Sequence, residues 1–448
     1  MSRSIRSNRR TFLKQSAAAA LAAAVSLRQL QAAAPGETVR HASFGASGMA
    51  GADLGEITKH PHVKLVCVAE VDLERAGGLK QKFPDLRVYQ DWREMLDKEH
   101  KNLDSVNVST PDHMHAAMGM SAMQLGLAVY GQKPLTHDVY ESRRLARYAA
   151  DNKRVTQMGI QIHSSAAYRS AVQLIQAGAI GKVQSVHSWS SKKWGDPAPR
   201  PDREDPVPKN LNWDLWLGVV ESRPFIGNGY YHPGNWRMRL DFGTGTFGDM
   251  GCHIFDPVFK ALVLTAPLTV RSTGPAPTAN NWANDAIVHF TFPQTAHTVG
   301  PAIPITWYDG DQRPPREAVA SVLGDKPLPD QGSLFLGEKG ALLLPHVAAP
   351  ELLPADRFTD YPRPKLEEIN HWHQFVEAVR GNGKTSAHFG YAGPLTESVL
   401  LGGVSTHFPG QQLEWDAAGL KFKNCPDAER LIRKSYRKGW EVPGLIEA

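Results

Sequence analysis

The sequence is poor in cysteine: its 448 residues include only Cys67, Cys252 and Cys425. No two of them form a C-x-x-C pair, which argues against a zinc knuckle and a disulfide framework, and we predict no metal site. A basic patch interleaved with aromatic residues is also missing, so the net charge of +5 does not indicate nucleic-acid binding. The composition, 42% hydrophobic and 21% charged, is that of a globular protein of two or three domains.

The N-terminal segment lacks an apolar run long enough to span a bilayer. It contains Asn-Arg-Arg-Thr-Phe-Leu-Lys at 8–14, a modestly apolar stretch over 17–27 and small residues at 32–34. This order is similar to a twin-arginine export signal. We therefore predict a signal peptide over residues 1–34, export by the twin-arginine translocon, and a periplasmic or otherwise exported protein. A short amphipathic helix or membrane anchor is the alternative.

Glycines follow the first predicted strand in a pattern typical of dinucleotide binding. A strand over 39–44 precedes Gly-Ala-Ser-Gly-Met-Ala at 45–50, and a second, apolar strand over 63–71 ends near an acid. Such glycines let the backbone approach a pyrophosphate, and the acid binds the ribose hydroxyls and disfavours a 2′-phosphate. We therefore predict NAD, with NADP disfavoured, although the second and third glycines are replaced and any doubly wound fold could carry a glycine turn. The predicted cofactor residues here are Gly45, Ser47, Gly48, Met49 and Glu70.

Two further strands of the alternating pattern end in polar residues. One, over 105–109, is followed by Thr110 and Pro111, and the next, over 128–130, leads to Lys133. Ligands bind at the carboxyl ends of strands in parallel sheets, so these residues are expected at the cofactor's edge. A lysine there can form a hydrogen bond with a reacting hydroxyl. The alternatives are a solvated charge for Lys133 and a packing role for the nearby His113 and His115.

A glycine-rich stretch over 241–256 carries the most informative polar pattern. Glycines at 243, 245 and 248 predict a tight approach to a helix that begins near Asp249. The helix places Asp249, His253 and Asp256 on one face, a carboxylate next to an imidazole that suits a general base. A helix with an acidic first turn and a satisfied histidine is the alternative.

Together these motifs resemble the family of glucose-fructose oxidoreductase, inositol dehydrogenase and their relatives (Gfo/Idh/MocA). The likeness rests on the Gly45 loop with Glu70, the Thr110-Pro111 strand end with His115 behind it, the Gly-Gln-Lys-Pro sequence at 131–134, and the Asp249/His253 pair. It implies that Lys133 forms a hydrogen bond with the substrate hydroxyl and helps to deprotonate it. It also implies that His253 accepts the proton and that Asp249 orients His253 or binds a neighbouring hydroxyl. Thr110, Pro111, His115 and Lys133 join the predicted cofactor residues. Gln132 stands where the family has glutamate, which removes a negative charge beside Lys133.

The sequence after residue 158 indicates a second domain. A long segment over 192–239 is rich in proline and tryptophan, and its tryptophans either line a carbohydrate site or anchor the segment in the core. Strand patterns follow it at intervals to residue 344. The predicted substrate-binding residues are Tyr231, His232, Trp236 and Arg237. We therefore predict an α/β protein with an N-terminal Rossmann dinucleotide-binding domain over 38–158 and a C-terminal α+β domain with an open, mainly antiparallel sheet over 159–448. The resemblance implies that this sheet makes homo-oligomer contacts.

The sequence leaves three functions open. The first is an NAD-dependent oxidoreductase that transfers hydride at a CH-OH carbon of a sugar or polyol, with a tightly bound cofactor because no free NAD pool is expected outside the cytoplasm. The second is a redox-neutral, NAD-using glycosidase, lyase or epimerase on a carbohydrate. The third is a non-catalytic carbohydrate-binding protein, against which the retained Lys133, Asp249 and His253 argue.

Overall fold

The computed structural model describes residues 38–446, so the predicted export signal lies outside the described residues. Its first six strands are β1 (Val39–Phe44), β2 (Val63–Ala69), β3 (Arg87–Tyr89), β4 (Ser105–Val108), β5 (Ala128–Gly131) and β6 (Thr156–Met158). They form one parallel sheet in the order β3-β2-β1-β4-β5-β6. The strand order reverses beside β1, which is where a doubly wound sheet opens a crevice. The predicted Rossmann fold is confirmed.

Five helices accompany this sheet: α1 (Met49–Ile57), α2 (Gly77–Lys82), α3 (Trp92–Glu99), α4 (His115–Gln124) and α5 (Val139–Asp151). Their starts follow from local sequence. The Asp138 side chain accepts a hydrogen bond from the backbone N–H of Glu141, and the Glu141 side chain accepts one from the backbone N–H of Asp138, so α5 begins with a capping box. Asp91 caps α3 by accepting from the backbone N–H of Arg93.

The second sheet has nine strands. They are β7 (Val183–Ser190), β8 (Thr269–Ser272), β9 (Ile287–Pro293), β10 (Ala302–Asp309), β11 (Gln331–Gly337), β12 (Gly340–Pro345), β13 (Glu351–Leu353), β14 (Leu413–Asp416) and β15 (Lys421–Phe422). Their order is β13-β12-β11-β7-β10-β9-β8-β14-β15. Only β7 and β10 run parallel, and the other neighbours are antiparallel, as predicted. β9 alternates buried and half-buried residues because one face of the sheet is covered.

The remaining helices are α6 (Ala166–Gln176), α7 (Trp213–Leu217), α8 (Gly245–Leu262), α9 (Arg316–Leu323), α10 (His371–Val379), α11 (Phe389–Ser405) and α12 (Glu429–Ile432). Two of them return to the first sheet: α10 packs its Phe375 and Val379 against Tyr130 of β5, and α11 packs along α5. The hydrophobic core is therefore continuous between the two sheets. No helix within residues 38–446 combines the length and the apolar character needed to cross a bilayer.

The segment over 192–239, called the insert below, is irregular apart from α7 and a 3₁₀ turn at Asn235–Met238. It is anchored by stacked tryptophans: the rings of Trp213 and Trp216 lie 4.8 Å apart, and both side chains are buried. The helix after the insert differs from the prediction. α8 begins at Gly245 rather than near Asp249, and it continues through Pro257. Gly245 and Gly248 therefore lie inside the helix, and only Gly243 belongs to the approach.

Candidate active site

The glycine loop after β1 is shaped for the close approach of another group. Gly45 and Gly48 have φ of +95° and +59°, conformations that favour glycine. A Cβ on Gly45 would lie 2.8 Å from the carbonyl oxygen of Ser109. Between the glycines, Ser47 holds a buried Oγ that has no hydrogen-bond partner within the described residues. A phosphate oxygen at the N-terminus of α1 would satisfy this hydroxyl, so the loop fits a dinucleotide.

Glu70 lies just past the end of β2 and closes this loop. One of its carboxylate oxygens accepts a hydrogen bond from the backbone N–H of Ala46 at 3.0 Å, and the other accepts from that of Asp72 at 3.1 Å. Burial raises the pKa of Glu70, and these two backbone donors oppose the effect. The carboxylate stands where a dinucleotide fold holds ribose hydroxyls.

A cavity of about 210 Å³ runs along the carboxyl ends of the central strands. The predicted cofactor residues that line it are Gly45, Ser47, Gly48, Met49, Glu70, Thr110 and Pro111. The predicted substrate residues that line it are His232, Trp236 and Arg237. Arg75, Gln90 and Trp92 are among the lining residues that were not predicted. Gln90 directly follows the short β3 strand, so the rule that ligands bind at strand ends could have found it.

Two predicted cofactor residues stand outside the cavity. Both ring nitrogens of His115 lie 2.8 Å from backbone carbonyl oxygens, Nδ1 from that of Pro134 and Nε2 from that of Thr110. His115 therefore ties together the loops after β4 and β5 and does not line the cavity. Lys133 points instead to α8.

Lys133 and Asp249 form the polar centre next to this cavity. The Lys133 Nζ lies 2.6 Å from Oδ1 of Asp249 and 2.9 Å from its backbone oxygen. Trp194 of the insert donates from Nε1 to Oδ2 at 2.9 Å, and Arg237 approaches Oδ1 at 3.4 Å. Burial acts to raise the pKa of Asp249, but the charges of Lys133 and Arg237 outweigh it and lower that pKa to about 2. Asp249 is therefore ionised and holds two cations at the end of the cavity.

His253 lies one turn further along α8. Its Nδ1 is buried and has no hydrogen-bond partner within residues 38–446. Burial, followed by the charge of Lys133, lowers the pKa of His253 well below its usual value, so the imidazole is neutral at pH 7. The carboxylate of Asp249 bonds to Lys133, Trp194 and Arg237 rather than to His253. Asp249 thus reaches the imidazole only through its charge.

Asp256, the third residue of the predicted helix face, belongs to a different group. Its carboxylate lies 2.8 Å from Nδ1 of His163 and accepts a 2.6 Å hydrogen bond from the Tyr391 hydroxyl. All polar capacity of this buried side chain is directed toward α11 and the loop after β6. Asp256 therefore joins α8 to these two elements and does not contact Asp249 or His253 through its hydrogen bonds.

The carboxyl group of Asp53, on α1, lies behind Gln132. The fully buried Asp53 carboxylate accepts hydrogen bonds from Gln132 Nε2 at 2.9 Å, Ser109 Oγ at 2.7 Å and Trp372 Nε1 at 2.9 Å. Gln132 Oε1 in turn accepts from the backbone N–H of Lys133 at 3.2 Å. Gln132 thus connects Asp53, which is distant in sequence, to the backbone of Lys133, and the expected loss of a negative charge at position 132 stays a prediction.

The insert brings some of its predicted residues to the site and keeps others in the core. Arg237 stacks on Trp236, with its guanidinium carbon 4.3 Å from the ring centroid, and reaches Asp249. His232 lies 2.9 Å from the carboxylate of Asp72, beyond Glu70. Tyr231 is only 2% exposed and packs among the aromatic rings that anchor the insert, so it is not brought to the site.

Fold and site together define a two-domain dinucleotide-binding protein. Residues 39–160 match the family model described as an oxidoreductase family with an NAD-binding Rossmann fold, and residues 182–297 match that family's C-terminal alpha/beta domain. The two matches cover more than half of the chain, which therefore belongs to this oxidoreductase family (Gfo/Idh/MocA).

Several curated relatives are similar to part of the chain. Levoglucosan dehydrogenase of Pseudarthrobacter phenanthrenivorans is 23% identical over 189 residues, 42% of this chain and 40% of its own. The NAD(+)-dependent scyllo-inositol 2-dehydrogenase of Bacillus subtilis is 30% identical over 142 residues, 32% of this chain and 41% of its own. The 2,7-anhydro-N-acetylneuraminate hydratase of Mediterraneibacter gnavus is 28% identical over 152 residues, 34% of this chain and 39% of its own. The matched regions span about two fifths of these relatives' lengths.

Solved structures share the fold along most of the chain. The WlbA dehydrogenase of Bordetella pertussis, in complex with NADH and UDP-GlcNAcA, superposes with a TM-score of 0.60 at 15% identity, over 85% of this chain and 99% of that one. The aldose-aldose oxidoreductase of Caulobacter crescentus, complexed with glycerol, gives a TM-score of 0.57 at 13% identity, over 85% and 100%. At these identities the likeness establishes the fold alone.

Proposed function

We propose that the protein is an NAD-dependent dehydrogenase that acts on a carbinol carbon of a sugar or polyol. The observation that carries this proposal is the Lys133–Asp249 pair, 2.6 Å apart, one helical turn from a neutral His253 whose Nδ1 has no partner in the described part of the chain. Arg237 joins this group to the cofactor cavity. A cation and a neutral base at the end of a dinucleotide cavity suit removal of a hydroxyl proton.

The residues have distinct roles in this proposal. The glycine loop, Ser47 and Glu70 would hold NAD, which when bound supplies the hydride acceptor. Lys133 donates a hydrogen bond to the oxygen of the reacting hydroxyl and stabilises the negative charge that develops there. His253 accepts the hydroxyl proton at Nδ1. Asp249 stays ionised because of its low pKa and keeps the ammonium group of Lys133 in place.

We propose NAD rather than NADP, because the buried carboxylate of Glu70 would repel a 2′-phosphate. We also propose that the cofactor is tightly held, because the insert is bonded to the loop after β2 at Asp72. Export through the twin-arginine translocon to the periplasm, supported by the Arg9-Arg10 motif, and assembly into a homo-oligomer complete the proposal.

A redox-neutral reaction is the second candidate. The matching relative named 2,7-anhydro-N-acetylneuraminate hydratase bears the name of an enzyme that adds water rather than one that oxidises its substrate. A cofactor held under the insert would suit a cycle in which the substrate carbon is oxidised and later reduced again. The same Lys133 and His253 would serve, and the reduced substrate would leave as an isomer, a hydrated product or a cleaved one.

The first experiment denatures the purified protein and identifies any released nucleotide by mass. The intact protein is then mixed with a panel that includes glucose, galactose, levoglucosan and myo-inositol, while nicotinamide absorbance and sugar products are followed. An absorbance change supports the dehydrogenase, and product without a net change supports the redox-neutral cycle. A protein that contains no nucleotide and binds no added NAD is a carbohydrate-binding protein at most, and both enzymatic proposals fail.

The site assignment is tested by Lys133→Met. We expect turnover to fall by about 10³-fold because the hydroxyl loses its cationic partner. Nucleotide content should stay unchanged, since Lys133 does not line the cavity, and Arg237 and Trp194 still bond to Asp249. Lys98→Met, which removes an exposed lysine paired with Glu94, is the matched control. Near-normal activity of Lys133→Met would show that the site lies elsewhere.

A further inference from the structure

Tyr168 and His346 form a hydrogen-bonded pair that the sequence did not reveal. Tyr168 lies on α6, and its hydroxyl oxygen is 2.7 Å from Nδ1 of His346, which directly follows β12. The next residue, Val347, has φ of +63° although it is β-branched, and it is exposed. A β-branched residue is strained in this region, and strain of this kind persists where the surroundings fix a particular geometry, often at functional sites.

The hydrogen bond with Tyr168 occupies Nδ1 of His346. We assign the Tyr168 hydroxyl as the donor of this bond and Nδ1 as its acceptor. Burial, followed by the charge of Lys133, lowers the pKa of His346 to about 4, so the ring is neutral at pH 7. A neutral ring that accepts at Nδ1 carries its proton on Nε2. No hydrogen bond within residues 38–446 uses that N–H.

The imidazole ring of His346 lies beside that of His253, a member of the proposed catalytic group. The ring centroids of His346 and His253 are 5.9 Å apart, and the charge of Lys133 acts on both rings. Within residues 38–446, Nδ1 of His253 and Nε2 of His346 have no hydrogen-bond partner, and we assign the first as an acceptor and the second as a donor. Such an arrangement suits two substrate oxygens at once, one that loses a proton and one that only accepts a hydrogen bond.

We propose that His346 binds the hydroxyl on the carbon next to the one that is oxidised, so that the substrates are polyols with hydroxyls on adjacent carbons. This inference rests on the proposed function, because Lys133 and His253 define the reacting hydroxyl. His346 contacts the substrate, and Tyr168 is a positioning residue that holds the imidazole in the required tautomer.

A thermodynamic cycle between residue and substrate tests this contact. NAD-loaded wild-type protein and His346→Leu are titrated calorimetrically with glucose, galactose and myo-inositol and with the monodeoxy analogues of each. We expect His346→Leu to weaken binding of one sugar about tenfold, and removal of one hydroxyl to weaken wild-type binding by the same factor. The two changes together should weaken it no further, because they remove the same hydrogen bond.

Two variants and one control separate binding from structure. His346→Gln keeps an N–H donor and should recover part of the lost sugar affinity. Tyr168→Phe should lower the affinity less than His346→Leu does, because it changes only the orientation of the His346 ring. His297→Leu, on the loop between β9 and β10, should change nothing. The role of His346 would be overturned if the binding losses from His346→Leu and from removal of a hydroxyl multiply for every analogue. It would also be overturned if His346→Leu binds every sugar as tightly as the wild type. In both cases the dehydrogenase proposal still stands. If no sugar binds to the wild-type protein, the proposed function itself fails.

Discussion

The buried carboxyl group of Asp53 favours a neutral hydrogen-bond donor, rather than a second carboxylate, at the neighbouring position 132. Asp53 accepts from Gln132, Ser109 and Trp372, and it has no exposure to solvent. Gln132→Glu would place a second carboxylate about 3 Å away, and we expect it to lower the free energy of unfolding by about 3 kcal/mol at pH 8. The loss should shrink toward pH 5, because the folded variant then takes up a proton.

The double variant Asp53→Asn with Gln132→Glu is the matched test of this pairing. It restores one amide and one carboxylate, so more than half of the lost stability should return in urea unfolding measurements. Asp53→Asn alone controls for the effect of the aspartate change. A double variant that is no more stable than Gln132→Glu would mean that repulsion between carboxylates is not the cause.

The lowered pKa of His253 leads to a prediction for activity against pH. A base works when it is deprotonated, so kcat/KM should stay constant as pH falls through 6.5 and decline only well below it. Asp249, with a pKa of about 2, adds no change in this range. The measurement is the pH profile of kcat/KM for the best sugar of the panel, with protein stability checked at each pH. An acidic limb centred at 6.5 or above would contradict the environment described for His253.

At the scale of single residues, sequence reasoning found groups that belong to a local pattern. Lys133 follows a predicted strand, and Asp249 and His253 are spaced by four on a helix, so their residue types and positions were informative. Asp53 and His346 were missed for a physical reason. Each is a lone polar residue in an unremarkable segment, and its role depends on a partner more than 75 residues away in sequence, Gln132 for one and Tyr168 for the other.

At the scale of elements, the start of α8 was predicted four residues late. Glycines are poor helix formers, so Gly245 and Gly248 indicated a turn. Gly245, the first residue of the helix, does have a conformation that favours glycine, with φ of +64°, and a Cβ on it would lie 2.8 Å from the ring of Trp282. Gly248 lies within the helix, where a Cβ would overlap the side chain of Thr244, and such close packing leaves no periodic trace in a sequence.

The insert and the loop after β2 form one paired element, which leads to a prediction for cofactor release. The backbone of Leu73 donates to Asn210, and the carboxylate of Asp72 bonds to the side chains of Asn210 and His232. Asp72→Ala removes both side-chain contacts, and we expect bound NAD to leave at least about tenfold faster, since two hydrogen bonds stabilise the closed insert.

Release is measured by diluting NAD-loaded protein into buffer and following the nucleotide that remains bound. Asp311→Ala is the control, because Asp311 pairs with Lys193 at the exposed outer edge of the insert and does not touch the loop after β2. Equal release rates in Asp72→Ala and the wild type would mean that the insert does not retain the cofactor.

At the scale of the whole molecule, both sheets could be predicted because strand patterns and strand order follow from local sequence and from general topology. The return of the chain from the second sheet to the first could not be predicted. α10 and α11 pack against the first sheet although they follow the second in sequence, and Trp372 even reaches Asp53 beneath the glycine loop. An apolar helix face indicates that a helix is buried, but it does not identify the surface that buries it.

This return leads to a prediction about cooperativity, centred on the pair that joins α5 to α11. Arg143 makes two-pronged hydrogen bonds of 2.6–2.9 Å to Glu397, whose side chain is 3% exposed and also accepts from Trp415. Since the two sheets share a core, we expect a single urea unfolding transition by both fluorescence and circular dichroism.

Arg143→Met should lower the free energy of unfolding by about 3 kcal/mol because it leaves a buried carboxylate without its cation, and adding Glu397→Gln should recover part of that loss. Lys98→Met, at an exposed pair, should have little effect. Two separate transitions would show that the sheets unfold independently. Equal effects of Arg143→Met and Lys98→Met would show that the Arg143–Glu397 pair does not couple the sheets.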